Sequence, residues 1–60
     1  MRVSHGHYTI DSTDSGVDIF DAGAWILTVT AEDLIAEGTV PPDDEHGWAA
    51  YGQRLVYNRE

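Results

Sequence analysis

The chain has 60 residues, 11 of them Asp or Glu, against three Arg, no Lys and no Cys, which sets the formal charge at −8. That length holds one small acidic domain, residues 1–60, burying only about 60% of its unfolded surface and leaving little room for an elaborate catalytic cleft. The absence of cysteine excludes a disulfide framework, a zinc ribbon and a thiol nucleophile, and the longest apolar run, Ala24–Leu27, is far short of the roughly 20 residues of a membrane span.

Taken in chain order, His7–Asp11 alternates in polarity and predicts a strand with Tyr8 and Ile10 facing inward. Residues 12–23 carry two readings. As a strand, Val17–Phe20 follows a Ser12–Gly16 turn and leads into a second turn at Asp21–Gly23. As a helix capped by Ser15, the segment places Asp11, Asp14, Asp18 and Asp21 on one face at spacings of three, four and three. Gly16 and the β-branched residues favour the strand. Trp25, Leu27 and Val29 alternate with Ile26, Thr28 and Thr30, the period of another strand.

Thr30 then caps a helix over residues 31–37, with Glu32 and Asp33 in its first turn and Gly38 as its left-handed exit. Acids suit the positive end of a helix dipole, whereas Glu37 opposes the negative end. Pro41–Gly47 reads as a loop bearing Asp43, Asp44 and Glu45 in succession. Arg54–Asn58 is expected to form a last strand, with Trp48–Tyr51 either as its hairpin partner across Gly52 or as a packed approach to it. The fold class expected is therefore α+β: an antiparallel sheet of three to four short strands with the 31–37 helix on one face. The expected core is Tyr8, Ile10, Phe20, Trp25, Leu27, Val29, Leu34, Ile35, Leu55 and Tyr57. Trp48, following the acidic loop, is the aromatic expected to anchor an interface.

His5-Gly6-His7 has the spacing at which two imidazoles on one side of a strand share a metal, but no Cys supports it and further ligands would have to converge from distant segments, so no metal or cofactor is expected. Asp43–Glu45 lacks the alternating ligand period of a calcium loop. With ten acids in the middle of the chain, any pair at hydrolase spacing is uninformative, and there is no phosphate loop, nucleophile elbow or dinucleotide fingerprint. An enzyme is not expected.

The informative feature is charge order. Between Asp11 and Glu45 lie ten carboxylates, Asp11, Asp14, Asp18, Asp21, Glu32, Asp33, Glu37, Asp43, Asp44 and Glu45, with no Lys or Arg, while the three Arg (Arg2, Arg54, Arg59) lie near the ends. The same 35-residue segment contains Val17, Ile19, Phe20, Trp25, Ile26, Leu27, Val29, Leu34, Ile35 and Val40, too apolar for a solvated tail. It is expected to fold and display the charge. Such a surface repels phosphates and attracts the proteins that grip them. Duplex DNA carries one charge per roughly 1.7 Å of axis, so an exposed face some 25 Å long shows on the order of seven, a density that gathered carboxylates match.

In size, acidity, lack of Cys and lack of catalytic motif the chain resembles the phage-encoded anti-CRISPR proteins, several of which imitate DNA. The resemblance is of general character along the whole chain, with no shared motif from which to carry over a residue. It implies a bacterial cytoplasm, a CRISPR effector complex as partner and blocked access of target DNA. The expected function is thus an acidic inhibitor that binds a basic nucleic-acid-binding complex through those ten carboxylates, as a monomer or weak homodimer, with no direct nucleic-acid or membrane contact. Two other readings stand: a structural or regulatory domain from an acid-rich, salt-adapted proteome, and an antitoxin or anti-repressor that masks one basic partner. An evenly charged surface is expected of the first of these, a one-sided patch of the mimic.

Overall fold

The computed structural model describes residues 1–59. Strands β1 (Arg2–His5), β2 (Tyr8–Ser12), β3 (Gly16–Asp21) and β4 (Ala24–Thr30) form an antiparallel meander in the order β1-β2-β3-β4, followed by helices α1 (Ala31–Ala36) and α2 (Glu45–Arg59). The α+β class and the expected helix after Thr30 are both present, and residues 16–21 resolve as strand.

Tight turns set the meander. Gly6 (φ 61°) occupies the first central position of the β1–β2 turn, and Ala22 (φ 51°) with Gly23 (φ 86°) makes the two-residue β3–β4 turn, where positive φ matches the twist of the flanking strands. His5 therefore closes β1 while His7 sits in a turn, so the two imidazoles do not share one side of a strand. His7 Nδ1 instead lies 2.6 Å from Asp21 Oδ1.

One sheet face is covered. Tyr8, Ile10 and Ser12 of β2 and Val17 and Ile19 of β3 point to it, and Trp48, Ala49, Gly52 and Val56 of α2 lie over them. A Cβ on Gly52 would stand 2.6 Å from Ile10 Cγ2, 3.0 Å from Val17 Cγ2 and 3.3 Å from Ile19 Cδ1, so the bare Cα is what lets the helix approach. Leu34 of α1 completes the core, with Val3, Ile26, Leu27, Val29, Ala31 and Tyr51 packed round it.

The expected hairpin over 48–58 is overturned, because those residues form one 15-residue helix. Asp44 starts it: its Oδ1 accepts from the Gly47 N–H at 2.8 Å, and its carbonyl accepts from the Trp48 N–H at 3.1 Å. The apolar stripe 48, 49, 52, 56 has helical period once Gly52 counts as a contact residue rather than a breaker.

The expected core shifts correspondingly. Trp48 is fully buried rather than an exposed anchor, whereas Trp25, Ile35 and Tyr57 are 61%, 62% and 70% exposed and Phe20 is half-buried. The cause at Trp25 is a bulge. Leu27 pairs with Ile19 but Trp25 pairs with Phe20, so Ile26 is an extra residue in β4. That residue flips the phase, and Trp25, which strict alternation would place with Leu27 and Val29, joins Phe20 on the uncovered face. Ile35 is exposed because the six-residue α1 turns only Leu34, with the half-buried Ala31, toward the core.

Candidate protein-binding surface

Three chain segments meet at one end of the molecule. Ser12, 1% exposed at the close of β2, donates through its hydroxyl to the Glu45 carbonyl at 2.8 Å and so ties the sheet to the start of α2. The β2–β3 turn is held by the Thr13 N–H on the Gly16 carbonyl, and its Ser15 carbonyl accepts from the Ala31 N–H at 2.9 Å, bringing up the start of α1. The β2–β3 turn and both helix starts therefore form a single surface. It carries Asp14, Glu32, Asp33, Asp43, Asp44 and Glu45, all exposed except the half-buried Glu45.

These acids gather here for local reasons. Asp33 completes a capping box: Thr30 Oγ1 accepts from the Asp33 N–H at 3.3 Å, and Asp33 Oδ2 accepts from the Thr30 N–H at 2.9 Å. Asp44 caps α2, and Glu45 pairs with the N-terminal amine at 3.3 Å. Both helices thus start with carboxylates that complement their unpaired N–H groups. Asp14, Glu32 and Asp43 have no such structural partner among the described residues, and Glu37 closes α1, also exposed. Gly38 (φ 79°) provides the left-handed exit there, its N–H donating to the Ile35 carbonyl at 3.0 Å.

The remaining acids lie elsewhere. Asp11 and Asp18 stand directly opposite one another on the uncovered sheet face, Asp11 with Arg2 Nη2 at 3.4 Å and Asp18 accepting from the Thr28 hydroxyl. Asp21 is at the far end with His7. The ten carboxylates thus do not form one continuous face.

Opposite the acidic end, the β1–β2 and β3–β4 turns are joined by the Ala22 N–H donating to the His7 carbonyl at 2.8 Å. A groove runs along α2 from Pro42 and Gly47 near its start to Tyr57 and Asn58 near its close, with His5 and Arg54 in its wall. His5 and His7 flank the β1–β2 turn, and Arg54 and Arg59 lie in the second half of α2. The charge order legible in the sequence becomes a partial spatial separation: both helices begin at one end and α2 carries Arg54 and Arg59 away from it, while Arg2 and the N-terminal amine stay near the acids and Asp21 lies at the far end.

Among the described residues no group of three His, Asp or Glu is disposed to hold a metal ion, and no helix is long and apolar enough to cross a membrane. What the arrangement can do is electrostatic. Sequence reasoning missed the roles of Asp44 and Glu45 at a helix start, although an acid followed by a long segment ending in Arg is the order a helix dipole favours. It also missed the exposed Trp25, for which a bulge leaves no sequence signal. Comparison with family models, curated proteins and solved structures found no match.

Proposed function

We propose that this protein is a non-enzymatic acidic binder that occupies the nucleic-acid site of a basic protein, presenting carboxylates where phosphates would lie. The observation that supports this reading is the gathering of Asp14, Glu32, Asp33, Asp43, Asp44 and Glu45 at one end, away from Arg54 and Arg59. Helix capping and the N-terminal amine account for Asp33, Asp44 and Glu45, whereas Asp14, Glu32 and Asp43 have no such local role and are the acids that favour binding over an evenly solvated surface. Long-range attraction would steer the end to a basic groove, and carboxylates would then pair with Arg and Lys side chains, the bidentate Arg contacts supplying specificity. A CRISPR effector complex is the partner that the resemblance to anti-CRISPR proteins implies, and its action there is exclusion of target DNA. An antitoxin or anti-repressor would use the same contacts on another basic partner.

The test is a pull-down from bacterial lysate with the tagged protein, eluted with short duplex DNA. A basic DNA-binding complex is expected in the eluate, and a variant carrying Asp14→Lys, Glu32→Lys and Asp43→Lys is expected to retain the fold and lose it. Each desolvated pair lost should weaken binding by about 1 kcal/mol or more. Retention of nothing that DNA displaces, or equal retention by the variant, rules the reading out. Asp44 and Glu45 are left unchanged because both also hold α2 in place.

A further inference from the structure

The sheet face turned away from α2 carries no helix, and its side chains form an ordered array. The register aligns Arg2, Asp11, Asp18 and Thr28 in one row across the four strands, and Ser4, Thr9, Phe20 and Trp25 in the next. The bulge at Ile26 brings Trp25 to this face. Its indole Nε1–H donates to Thr28 Oγ1 at 2.8 Å, and the Thr28 hydroxyl donates to Asp18 Oδ1. A side chain 61% exposed is thereby fixed in orientation beside a carboxylate. An exposed tryptophan held in this way is an anchor with little rotamer entropy left to lose on binding.

Charge determines what it would hold. Asp11 and Asp18 are directly opposite across the β2–β3 ladder, an unfavourable juxtaposition of like charges. Arg2 relieves it on one side only, with its guanidinium 3.4 Å from Asp11. Among the described residues Asp18 has no cation within ion-pair distance, and only one of its oxygens accepts from Thr28. The face thus already seats one guanidinium from its own chain and has a second carboxylate, beside an exposed indole, without one. A phosphate or other anion would meet two carboxylates against the one guanidinium of Arg2 here.

We propose that this face binds an arginine of the basic partner, its guanidinium stacked on the Trp25 indole and paired with Asp18. This rests on the binding role proposed above and adds a second contact surface outside the acidic end. Arginine fits better than lysine, because a planar guanidinium stacks on an indole and donates in its own plane to a carboxylate at the ring's edge. A lysine ammonium can satisfy the charge and approach the ring, but it has no flat face to stack and no fork of donors lying in that plane.

The experiment uses the full chain with blocked hexa-arginine and hexa-lysine peptides at physiological ionic strength, following the two tryptophan indole N–H resonances by NMR, with Trp25→Phe to assign them. Hexa-arginine is expected to move the Trp25 resonance, leave that of buried Trp48 in place, and bind at least about five-fold more tightly than hexa-lysine. Asp18→Asn should weaken hexa-arginine about ten-fold, and Trp25→Ala should abolish the preference for arginine, with far-UV circular dichroism unchanged in both. Asp43→Asn, at the acidic end, should weaken both peptides alike. Equal binding of the two peptides with no movement of the Trp25 resonance overturns the proposal, whatever the folding of the variants. A Trp25 resonance that moves with protein concentration alone also overturns it, and assigns the face to a second copy of the chain. An arginine preference at Trp25 without any DNA-displaceable partner keeps this seat and removes the nucleic-acid-mimic reading. A displaceable partner lost on charge reversal at the acidic end but indifferent to Trp25→Ala does the reverse.

Discussion

Gly52→Ala tests how closely α2 approaches the sheet. In the interior of an exposed helix this substitution stabilises by about 1 kcal/mol, since alanine has the higher helix propensity. Here the added methyl would stand 2.6 Å from Ile10 Cγ2, 3.0 Å from Val17 Cγ2 and 3.3 Å from Ile19 Cδ1. Carbon atoms in contact prefer about 3.5–4.0 Å. Ile10, Val17 and Ile19 are at most 2% exposed and β-branched, so none can swing aside into solvent. Overpacking of this kind costs roughly 1–3 kcal/mol, and three simultaneous contacts with stiff side chains argue for the upper part of that range. After the propensity gain is subtracted, a net loss of about 1–2 kcal/mol is expected. For a chain this short that lowers the melting midpoint by roughly 4–16 °C.

Thermal and urea unfolding followed by circular dichroism would read the change. A companion variant identifies its cause: Ile10→Leu removes the branch nearest Gly52 at modest cost, so Gly52→Ala with Ile10→Leu should be less destabilised than the sum of the two singles by about 1 kcal/mol. A Gly52→Ala protein as stable as the parent or more so, or strict additivity in the double variant, would refute the close approach of α2 to β2 and β3.

Thr30→Ala removes the hydroxyl that accepts from the Asp33 N–H and should cost about 1 kcal/mol, measurable in the same unfolding experiment; no loss would mean that the cap does not contribute and that packing of Leu34 and Ala31 with the Ala31–Ser15 bond holds α1. The two tryptophans should form separable fluorescent populations, because Trp48 is fully buried and Trp25 is 61% exposed. Acrylamide is expected to quench the parent in two phases and Trp25→Phe in the weak phase alone, and a single strong phase in Trp25→Phe would contradict the burial of Trp48.

Local features were legible where a few neighbouring residues decide the conformation. Thr30, Asp33 and Gly38 define the start and exit of α1 through bonds closed within that segment. The alternation of Tyr8 and Ile10 defines which face of β2 is covered, since strand side chains alternate without outside help, although the strand runs on to Ser12, which the sequence placed in the turn. The C-terminal helix was not legible, because Gly47 and Gly52 lower its intrinsic propensity and Leu55-Val56-Tyr57 has the composition of a strand. Its stability comes from laying Trp48, Gly52 and Val56 on the sheet, a contact between segments more than 30 residues apart.

The candidate surface divides in the same way. That the chain would carry its charge in separate blocks, ten carboxylates without a cation between Asp11 and Glu45, is a property of residue order and could be counted. Which of those carboxylates share a surface could not. Ser12 reaches Glu45, and Ser15 reaches Ala31, through hydrogen bonds that exist only after the sheet has formed and the helices have packed on it. Trp25 is the sharpest instance: its residue type is fixed by sequence, but one unpaired residue in β4 decides whether it lies in the core or on the open face. Sequence by itself determined the sign of the charge, the small apolar core it could support and the local start of α1. The gathering of six acids at one end, and the placing of a tryptophan beside Asp18, were decided by tertiary structure, because register and helix packing depend on contacts that no local pattern contains.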